Sequence, residues 1–408
     1  MNSGLKKEIF LIIKALKASN KRHLAKEIEE NWHKTCKTYS KEINIYKTTL
    51  PLEKIMSLAL NKEFKRLGYT ESQITKILKY LEKHRVLQTT PHISPAQKPR
   101  YFFINWLASL ALKKTDFYLV AMFSGIPFSN KTRPGRLCSK TGDINLIPSN
   151  MQDALVYRSK IPQKMIEELQ KLPANLKNIF PEAKLNESYT SWALKSSQKI
   201  ENRFLKGKPI FFDFNEVVAN YILLAIKDEN HPVFKILFDS RNRAETIALF
   251  SSEVFFYGSK KGDKHESMEG FHLKDGYLES PSRKIILTKG NLKKEIEQGL
   301  CPGLPLGFLA FTFLNHFKCF GSFAQTEYLP MYKKDFMKIP CLKKAKIKDA
   351  PTENLTTTGG FPENSTLHPL DLYLNEKIKV RKDIILGEVI VAIKDVLIHQ
   401  NYSTNMVK

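Results

Sequence analysis

The sequence lacks most of the features that assign a protein to a class at once. Its five cysteines, Cys36, Cys138, Cys301, Cys319 and Cys341, are widely spaced, so no zinc-ligand pair is present and a reduced environment is indicated. There is no uninterrupted apolar run of about twenty residues, and the N-terminus lacks the pattern of a signal peptide. A glycine-rich phosphate loop is also missing. We therefore expect a cytoplasmic protein without a membrane span or a metal site.

Negative charge is scarce as well. The 408 residues contain 65 Lys and Arg against 41 Asp and Glu, which gives a net charge of +24 at pH 7. Half of this excess falls in the first hundred residues. Such a balance favours an acidic partner, which could be nucleic acid, a phosphorylated small molecule or an anionic membrane face. A lysine-rich coding background would give the same composition, so the net charge alone does not choose among these.

Periodicity divides the chain into four parts. Residues 1–84 show apolar residues at helical spacing and predict a basic helical N-terminal domain. Residues 85–342 alternate strand-like and helix-like segments, which predicts an α/β fold with a Rossmann-like, mostly parallel sheet that binds a nucleotide. Residues 343–369 are polar and rich in Thr, Pro, Asn and Gly, as in a surface linker. Residues 370–408 return to helical periodicity and predict a C-terminal helical extension.

The stretch HRVLQTTPHISPAQKPRYFFINWLASL, residues 84–110, supports two interpretations. It could be the wing of a winged helix, with strands at 86–90 and 100–104 beside a DNA-contacting helix that carries Lys76, Lys79 and Lys83. It could also be a strand, a loop and a helix of the α/β domain. The second apolar run continues through Leu112 without a breaker, which is longer than a usual wing strand and favours the α/β interpretation.

In the α/β interpretation, two loops open at the carboxyl edge of the sheet, where open α/β sheets bind ligands. The first loop carries His92 and Ser94, and we expect His92 to be catalytic and Ser94 to contact a phosphate at a helix N-terminus. The second loop carries Asn130, Arg133 and Arg136. Arginine binds carboxylates and phosphates in a forked geometry, so this loop is expected to bind an anionic substrate.

A third polar group lies inside the strongly apolar segment FKCFGSFAQTEYLPMYKKDF, residues 317–336. Polar residues in such a segment are costly unless they are paired or used. Glu327 is a candidate general base, and Gln325 and Tyr328 are candidate substrate-binding residues. We expect Glu327 to share one pocket with His92 and Arg133.

These segments resemble the cysteine-adding enzyme family of bacillithiol biosynthesis. The stretch LQTTPHISPAQKPRYFFINWLASLAL followed by FYLVAMFSG is similar to the family's strand, Thr-Gly-Gln-Gln loop, helix and strand. The stretch LPLGFLAFTFLNHFKCFGSFAQTEYLPMY is similar to its late segment, in which a glycine turn precedes Glu, Ala and Tyr. The resemblance covers about a fifth of the chain, and it implies a Rossmann-like nucleotide-binding core.

The resemblance also implies roles for individual residues, with departures from the family pattern. Gly321 and Ser322 take the place of the glycine turn that would contact the cofactor, and Glu327 and Tyr328 follow it. Pro91 and His92 replace the Gln-Gln pair. The basic helical N-terminus has no counterpart in the family, and the family's coiled coil is missing or reduced. Cysteine or bacillithiol is therefore not implied as the substrate.

Together, the patterns predict a nucleotide-dependent transferase or ligase that acts on a small anionic metabolite, with ATP as the expected nucleotide. Two alternatives remain open. One is a nucleic-acid-binding protein that uses the lysines of the winged-helix interpretation. The other is a non-catalytic interaction or effector protein built on the same α/β domain.

Overall fold

The N-terminal region is helical, as predicted, in the computed structural model, which describes residues 3–262, 265–352, 356–362, 367–375, 381 and 383–399. Its helices are α1 (Ser3–Ala18), α2 (Arg22–Asn31), α3 (Cys36–Asn44), α4 (Lys54–Arg66) and α5 (Glu71–Leu81). Their apolar faces join one continuous hydrophobic core with the rest of the molecule. Thr70 starts α5 with a capping box, in which Thr70 and Gln73 exchange side-chain-to-backbone hydrogen bonds.

The segment with two interpretations forms a strand, a loop, a helix and a strand. Strand β1 (Val86–Gln88) leads through the loop to α6 (Pro99–Ser109) and then to β2 (Phe117–Met122), and β1 and β2 are parallel. Pro99 stands at the first turn of α6, where its missing N–H costs nothing. The winged-helix interpretation is wrong at this point, because its second wing strand, residues 100–104, is part of a helix that is buried along most of its length.

The remaining elements follow in chain order: β3 (Arg136–Ser139), β4 (Gly142–Asn145), α7 (Gln163–Gln170), α8 (Ala174–Lys177), α9 (Tyr189–Glu201), β5 (Lys208–Asp213), α10 (Phe214–Ala225), α11 (Pro232–Phe238), α12 (Ser240–Leu249), β6 (Phe256–Lys261), β7 (Glu266–Lys274), β8 (Tyr277–Glu279), β9 (Lys284–Ile286), α13 (Lys289–Glu297), β10 (Cys301–Pro302), α14 (Leu304–Phe308), β11 (Lys318–Phe320), α15 (Phe323–Phe336), α16 (Pro369–Asn375), α17 (Leu386–Val391) and α18 (Lys394–His399). A π-helical turn, Leu309–Leu314, follows α14.

A four-stranded parallel sheet with the order β5-β2-β1-β11 lies at the centre of the α/β region. All four strands run in one direction, so their carboxyl ends meet at one edge. A second sheet, β10-β6-β7-β8-β9, is antiparallel and contains a hairpin that turns at Asp275 and Gly276. The fold is therefore α/β as expected, but antiparallel pairing accounts for more of it than a mostly parallel sheet implies.

Part of the predicted linker packs inside the molecule. Thr356, Thr357 and Thr358 are buried, and Thr356 forms a parallel bridge with Gly321 at the end of β11. The Gln88 side-chain amide donates to the Thr357 hydroxyl over 2.9 Å. A polar, threonine-rich segment can be buried here because the carboxyl ends of β1 and β11 offer hydrogen-bond partners for it.

The C-terminal extension is helical in its described part, with a break. The described part of this extension contains α16, α17 and α18, and a turn at Ala392 and Ile393 separates α17 from α18. Among the described helices, none combines the length and the apolar character that crossing a membrane requires.

Arg85 ties the helical N-terminal region to the sheet. It is fully buried, and its guanidinium donates to the backbone carbonyls of Leu81 (3.1 Å), Asn315 (2.9 Å) and Leu50. Burial lowers its pKa from the usual arginine value, although the group stays charged at neutral pH. The helical region is thus fixed to the start of β1 through a buried cation whose partners are all main-chain carbonyls.

We expect the substitution Arg85→Ala to lower the free energy of unfolding by about 3 kcal/mol or more, because several buried carbonyls lose a charged donor. Urea denaturation measures the change. The neighbouring exposed Lys83→Ala is the control and should change stability by no more than about 0.5 kcal/mol. A loss of similar size in both variants would contradict the role given to Arg85.

Candidate functional site

A cleft opens at the edge where the four parallel strands end. Its volume is about 800 Å³, including the space open to solvent at its mouth. The residues that follow each strand contribute to its lining: Thr89, Thr90 and His92 after β1; Phe123, Gly125, Ile126, Pro127 and Asn130 after β2; Phe214 after β5; and Ser322, Gln325 and Tyr328 after β11. Tyr257, Met268, Leu304 and Phe308 complete it. This is the position at which open α/β sheets bind ligands.

Gln325 fixes the floor of the cleft by joining two strand ends. Its side-chain carbonyl accepts a hydrogen bond from the Thr89 hydroxyl over 2.8 Å, and its amide group donates to the Cys319 carbonyl over 3.1 Å. A Cβ on residue 321 would lie only 2.0 Å from the Gln325 carbonyl oxygen, so glycine is required there for this close approach. The predicted residues Gly321 and Gln325 are therefore coupled by sterics.

The N-terminus of α15 lies at the cleft. Ser322 occupies the N-cap position and makes no side-chain capping hydrogen bond, and it lines the cleft. A helix N-terminus carries partial positive charge and offers N–H donors, which favours anions. The guanidinium carbon of Arg100, in the first turn of α6, lies 5.2 Å from the centre of the Phe323 ring, so a full positive charge is also close to the start of α15.

Thr90 contributes a hydroxyl to the same cleft. The side chain is buried and lines the cleft, and its Oγ1 has no hydrogen-bond partner among the described residues. Its backbone N–H donates to the Gln88 side-chain carbonyl over 3.1 Å, which holds the residue in position. A buried polar atom left unpaired is costly, and such atoms in native proteins often mark a binding site.

His92 lies two residues farther along the same loop, where it forms a parallel bridge with Phe123. Its Nδ1 is 3.4 Å from the Asn130 side-chain carbonyl oxygen, which can only accept. This contact favours the tautomer with the proton on Nδ1 and a free electron pair on Nε2. Burial lowers the pKa of His92 to about 4, so the ring is neutral at physiological pH. Asn130 is itself held by accepting from the N–H and the hydroxyl of Thr132.

The opposite wall of the cleft is aromatic. The rings of Phe123 and Phe308 lie 5.8 and 5.7 Å from that of Phe214, and the Tyr328 ring lies 5.7 Å from Phe308. Burial raises the pKa of Tyr257 and of Tyr328 well above the usual range, so both hydroxyls keep their protons. The cleft therefore combines the polar N-terminus of α15 with a wall of mutually tilted aromatic rings.

A network of buried polar groups supports the cleft from behind, at the end of β5. The Asn215 side-chain carbonyl accepts from the backbone N–H groups of Ser124 (2.8 Å) and Gly125 (3.1 Å), which shapes the loop after β2. The Ser124 hydroxyl donates to Asp213 over 2.7 Å. Burial and the nearby Glu63 carboxylate raise the pKa of Asp213 to about 7. Glu63 comes from α4, so the N-terminal helices take part in this support.

The structure brings together only part of the predicted site. His92, Asn130, Ser322, Gln325 and Tyr328 line the cleft, and Gly321 borders it through Gln325. Four predicted residues are absent from its lining: Ser94, Arg133, Arg136 and Glu327. The prediction that His92, Arg133 and Glu327 line one pocket is therefore not met by the lining residues.

Three of these four residues have hydrogen-bond or ion-pair partners outside the cleft lining, and the fourth is partly exposed. Glu327 accepts a hydrogen bond from the Leu24 backbone N–H over 2.8 Å, so its carboxylate caps the start of α2. Arg133 pairs with Asp143, and the Ser94 hydroxyl donates to the Ala96 carbonyl over 3.1 Å. Arg136 is partly exposed at the start of β3. Sequence reasoning had no means to separate carboxylates and cations that anchor loops from those that face a ligand.

Sequence reasoning also missed Thr89, Thr90 and Tyr257, which line the cleft, and Arg100, which lies over the Phe323 ring at the start of α15. The pair Thr89-Thr90 could have been recognised, because it comes directly after a buried strand. Arg100 and Tyr257 reach this place through tertiary packing of α6 and of the antiparallel sheet, which no local pattern indicates. Within the described part of the chain, no group of three or more His, Cys, Asp or Glu side chains could hold a metal ion.

Comparisons with protein-family models, with curated proteins and with solved structures found no match for this chain. The resemblance to the cysteine-adding enzymes therefore stays a prediction, and the cleft itself is the basis for a function.

The two adjacent threonines are expected to respond oppositely to the same substitution. Thr90→Val replaces a buried hydroxyl, which has no partner among the described residues, with a methyl group, so the free energy of unfolding should stay unchanged or rise by up to about 1 kcal/mol. Thr89→Val removes the donor to Gln325 and should lower it by about 1 kcal/mol. Urea denaturation without added ligand compares the two. A clear loss of stability in Thr90→Val would show that its hydroxyl is already paired.

The low pKa of His92 predicts a stability contribution that depends on pH. Because the folded pKa of about 4 lies below the usual 6.5, the contribution is complete above pH 6.5 and is lost as the pH falls toward 4. The loss should be about 3 kcal/mol at most. Chemical denaturation of the wild type and of His92→Gln, at several pH values, isolates it by difference. Parallel pH curves for the two proteins would contradict the assignment.

Proposed function

We propose that the cleft binds a small anionic metabolite and a nucleotide, and that the protein is a nucleotide-dependent transferase or ligase with a Rossmann-like site. The observation that carries this proposal is that the Thr90 hydroxyl, which has no hydrogen-bond partner among the described residues, lines the same cleft as the N-terminus of α15, at the edge where four parallel strands end. A helix N-terminus favours an anion, the Thr90 hydroxyl can donate a hydrogen bond to it, and both belong to a cleft at the edge where open α/β sheets bind ligands.

In this proposal, a phosphate or carboxylate group lies against Ser322 and the first turn of α15. The Thr90 hydroxyl donates to it, and the Arg100 guanidinium neutralises part of its charge. The Thr89–Gln325 hydrogen bond keeps the two strand ends at a fixed spacing, so the donors are in place before the ligand arrives. Such preorganised charge stabilisation is the main contribution that a protein makes to phosphoryl and acyl transfer.

The aromatic wall supports a nucleotide as one of the ligands. A purine base is flat and apolar on its faces, and rings such as Phe214, Phe308 and Tyr328 offer it a matching surface. The cleft lacks a glycine-rich phosphate loop, so the phosphates would depend on α15 and on side chains rather than on a loop of N–H groups.

His92 is then a positioning group in preference to a strong base. With a pKa of about 4, His92 is a weak base and accepts a proton poorly at neutral pH. A general base works best with a pKa near the operating pH. Its free Nε2 can accept a hydrogen bond from an attacking hydroxyl, amine or thiol and orient it. Glu327 is not retained in the chemistry, because its capping contact with Leu24 accounts for it.

Binding is tested by thermal shift and calorimetric titration with ATP. At a hundredfold excess over Kd, the ligand should stabilise the fold by about 2.7 kcal/mol. Arg100→Ala should weaken binding about tenfold or more, because a charged hydrogen bond is lost, and Thr90→Val should weaken it several-fold. Arg133→Ala is the matched control and should leave Kd nearly unchanged, because Arg133 pairs with Asp143 away from the lining.

Turnover is tested separately, by following ATP consumption in the presence of a small-metabolite extract. The proposal expects consumption by the wild type, and a lower rate with a nearly unchanged Kd for His92→Gln. Absence of ATP binding would overturn the nucleotide part. Binding without any consumption would favour the non-catalytic alternative. If Arg133→Ala weakens binding as strongly as Arg100→Ala, the anion binds outside the cleft.

A further inference from the structure

Helix α1 has a buried face and an exposed face of different character. Its inner face packs into the core through Ile9, Ile12, Ile13 and Leu16. Its outer face carries two large apolar side chains, Phe10 and Leu11, whose exposed fractions are 66% and 47%. Phe10 has the largest exposed fraction among the large apolar side chains in the described part of the chain. Apolar residues exposed to this extent side by side indicate a contact surface.

Lysines surround this apolar pair. Lys6 and Lys14 lie four residues before and after Phe10, and Lys7 lies four residues before Leu11, so helical geometry places them on the same exposed face. We call these five residues the α1 patch. The outer face of α1 is thus an apolar pair with positive charge on both sides along the helix.

The positive charge of the α1 patch is not balanced locally. Within the described residues, the ion pairs of α1 are Lys17 with Glu29 (2.9 Å) and Glu8 with Lys394 (3.2 Å). Glu8 is the only acidic residue of α1, and it faces α18 through Lys394. Lys6, Lys7 and Lys14 therefore have no ion-pair partner in the part of the chain that the structure describes. Ile398 on α18, which packs beside α1, adds a further partly exposed apolar side chain.

We propose that the α1 patch docks the protein on an anionic lipid surface. A helix that lies in a membrane interface combines large apolar side chains with lysines beside them, because the apolar groups enter the acyl boundary while the lysines stay at the headgroups. Each lysine near an anionic bilayer is attracted to the negative headgroups. Dissolved salt screens this attraction, so binding depends on ionic strength. This surface is independent of the cleft and of the function proposed for it.

The choice of lipid follows from charge complementarity. The three lysines of the α1 patch favour a surface with dense negative charge, and two adjacent apolar side chains favour one into which they can insert. Duplex DNA would satisfy the lysines but would leave Phe10 and Leu11 in water. An anionic bilayer satisfies both.

Vesicle co-sedimentation tests the proposal with the full chain. Vesicles of phosphatidylcholine with about one-third phosphatidylglycerol should bind the protein, and pure phosphatidylcholine vesicles should bind it at least about tenfold more weakly. Raising the salt concentration should release it. The double substitution Phe10→Ser with Leu11→Ser should reduce binding about tenfold or more, because insertion is lost. These side chains are exposed, so thermal unfolding should confirm that the variant is folded.

Two triple variants with the same net charge distinguish the contribution of the α1 patch to vesicle binding from the contribution of net charge. The first variant, with Lys6, Lys7 and Lys14 changed to Ser, should lose most of the binding to anionic vesicles. The second variant, with Lys76, Lys79 and Lys83 changed to Ser, removes the same charge from α5 and the turn after it. These lysines are exposed but lie beside no exposed large apolar side chain, so this variant should keep most of the binding. Equal losses in the two variants would overturn the proposal, as would binding that survives removal of Phe10 and Leu11 or that never exceeds binding to neutral vesicles.

Discussion

The hydrogen bond between the Thr89 hydroxyl and the Gln325 side-chain carbonyl, 2.8 Å long, is the contact on which the geometry of the cleft depends. It joins the residue after β1 to the first turn of the helix that follows β11, two strands that are neighbours in the sheet but about 230 residues apart in sequence. The same glutamine is tied to the Cys319 carbonyl, and Gly321 leaves room for it. With this link in place, α15 begins at the strand ends and directs its N-terminus into the cleft.

The sequence predicts the local parts of this arrangement better than their assembly. The alternation of apolar runs from residue 86 to 123 was enough to choose a parallel β1-α6-β2 unit over a wing, because the length of the second run fits a helix. It was also enough to place His92 and Asn130 at the carboxyl edge. The role of Glu327 could not be predicted, because it depends on the approach of Leu24, some 300 residues earlier in the chain. A polar residue in an apolar segment indicates that the side chain has a hydrogen-bond partner, but the sequence does not identify that partner.

The distribution of charged residues in the sequence also does not predict which of them face a ligand in the folded protein. The excess of lysine and arginine indicated an anionic partner, yet the arginines chosen from the loop after β2 are engaged elsewhere or partly exposed, while Arg100 adjoins the start of α15. The basic N-terminal region contains two exposed lysine faces that composition cannot distinguish. They differ in structure, because the lysines of the outer face of α1 flank two adjacent exposed apolar side chains, whereas no large apolar side chain is exposed between residues 76 and 83. Packing of the inner faces decides which side chains are left outside.

Hydrogen exchange of the backbone amides, with and without ATP, tests the central claim most directly. If the anion binds at the start of α15, exchange should slow in the segments 89–92 and 322–325 on addition of the nucleotide, with no change in the segment 76–83. Slower exchange confined to residues 76–83, or unchanged exchange at residues 322–325 under conditions where ATP raises the unfolding temperature, would contradict the account and place the anion site elsewhere on the molecule.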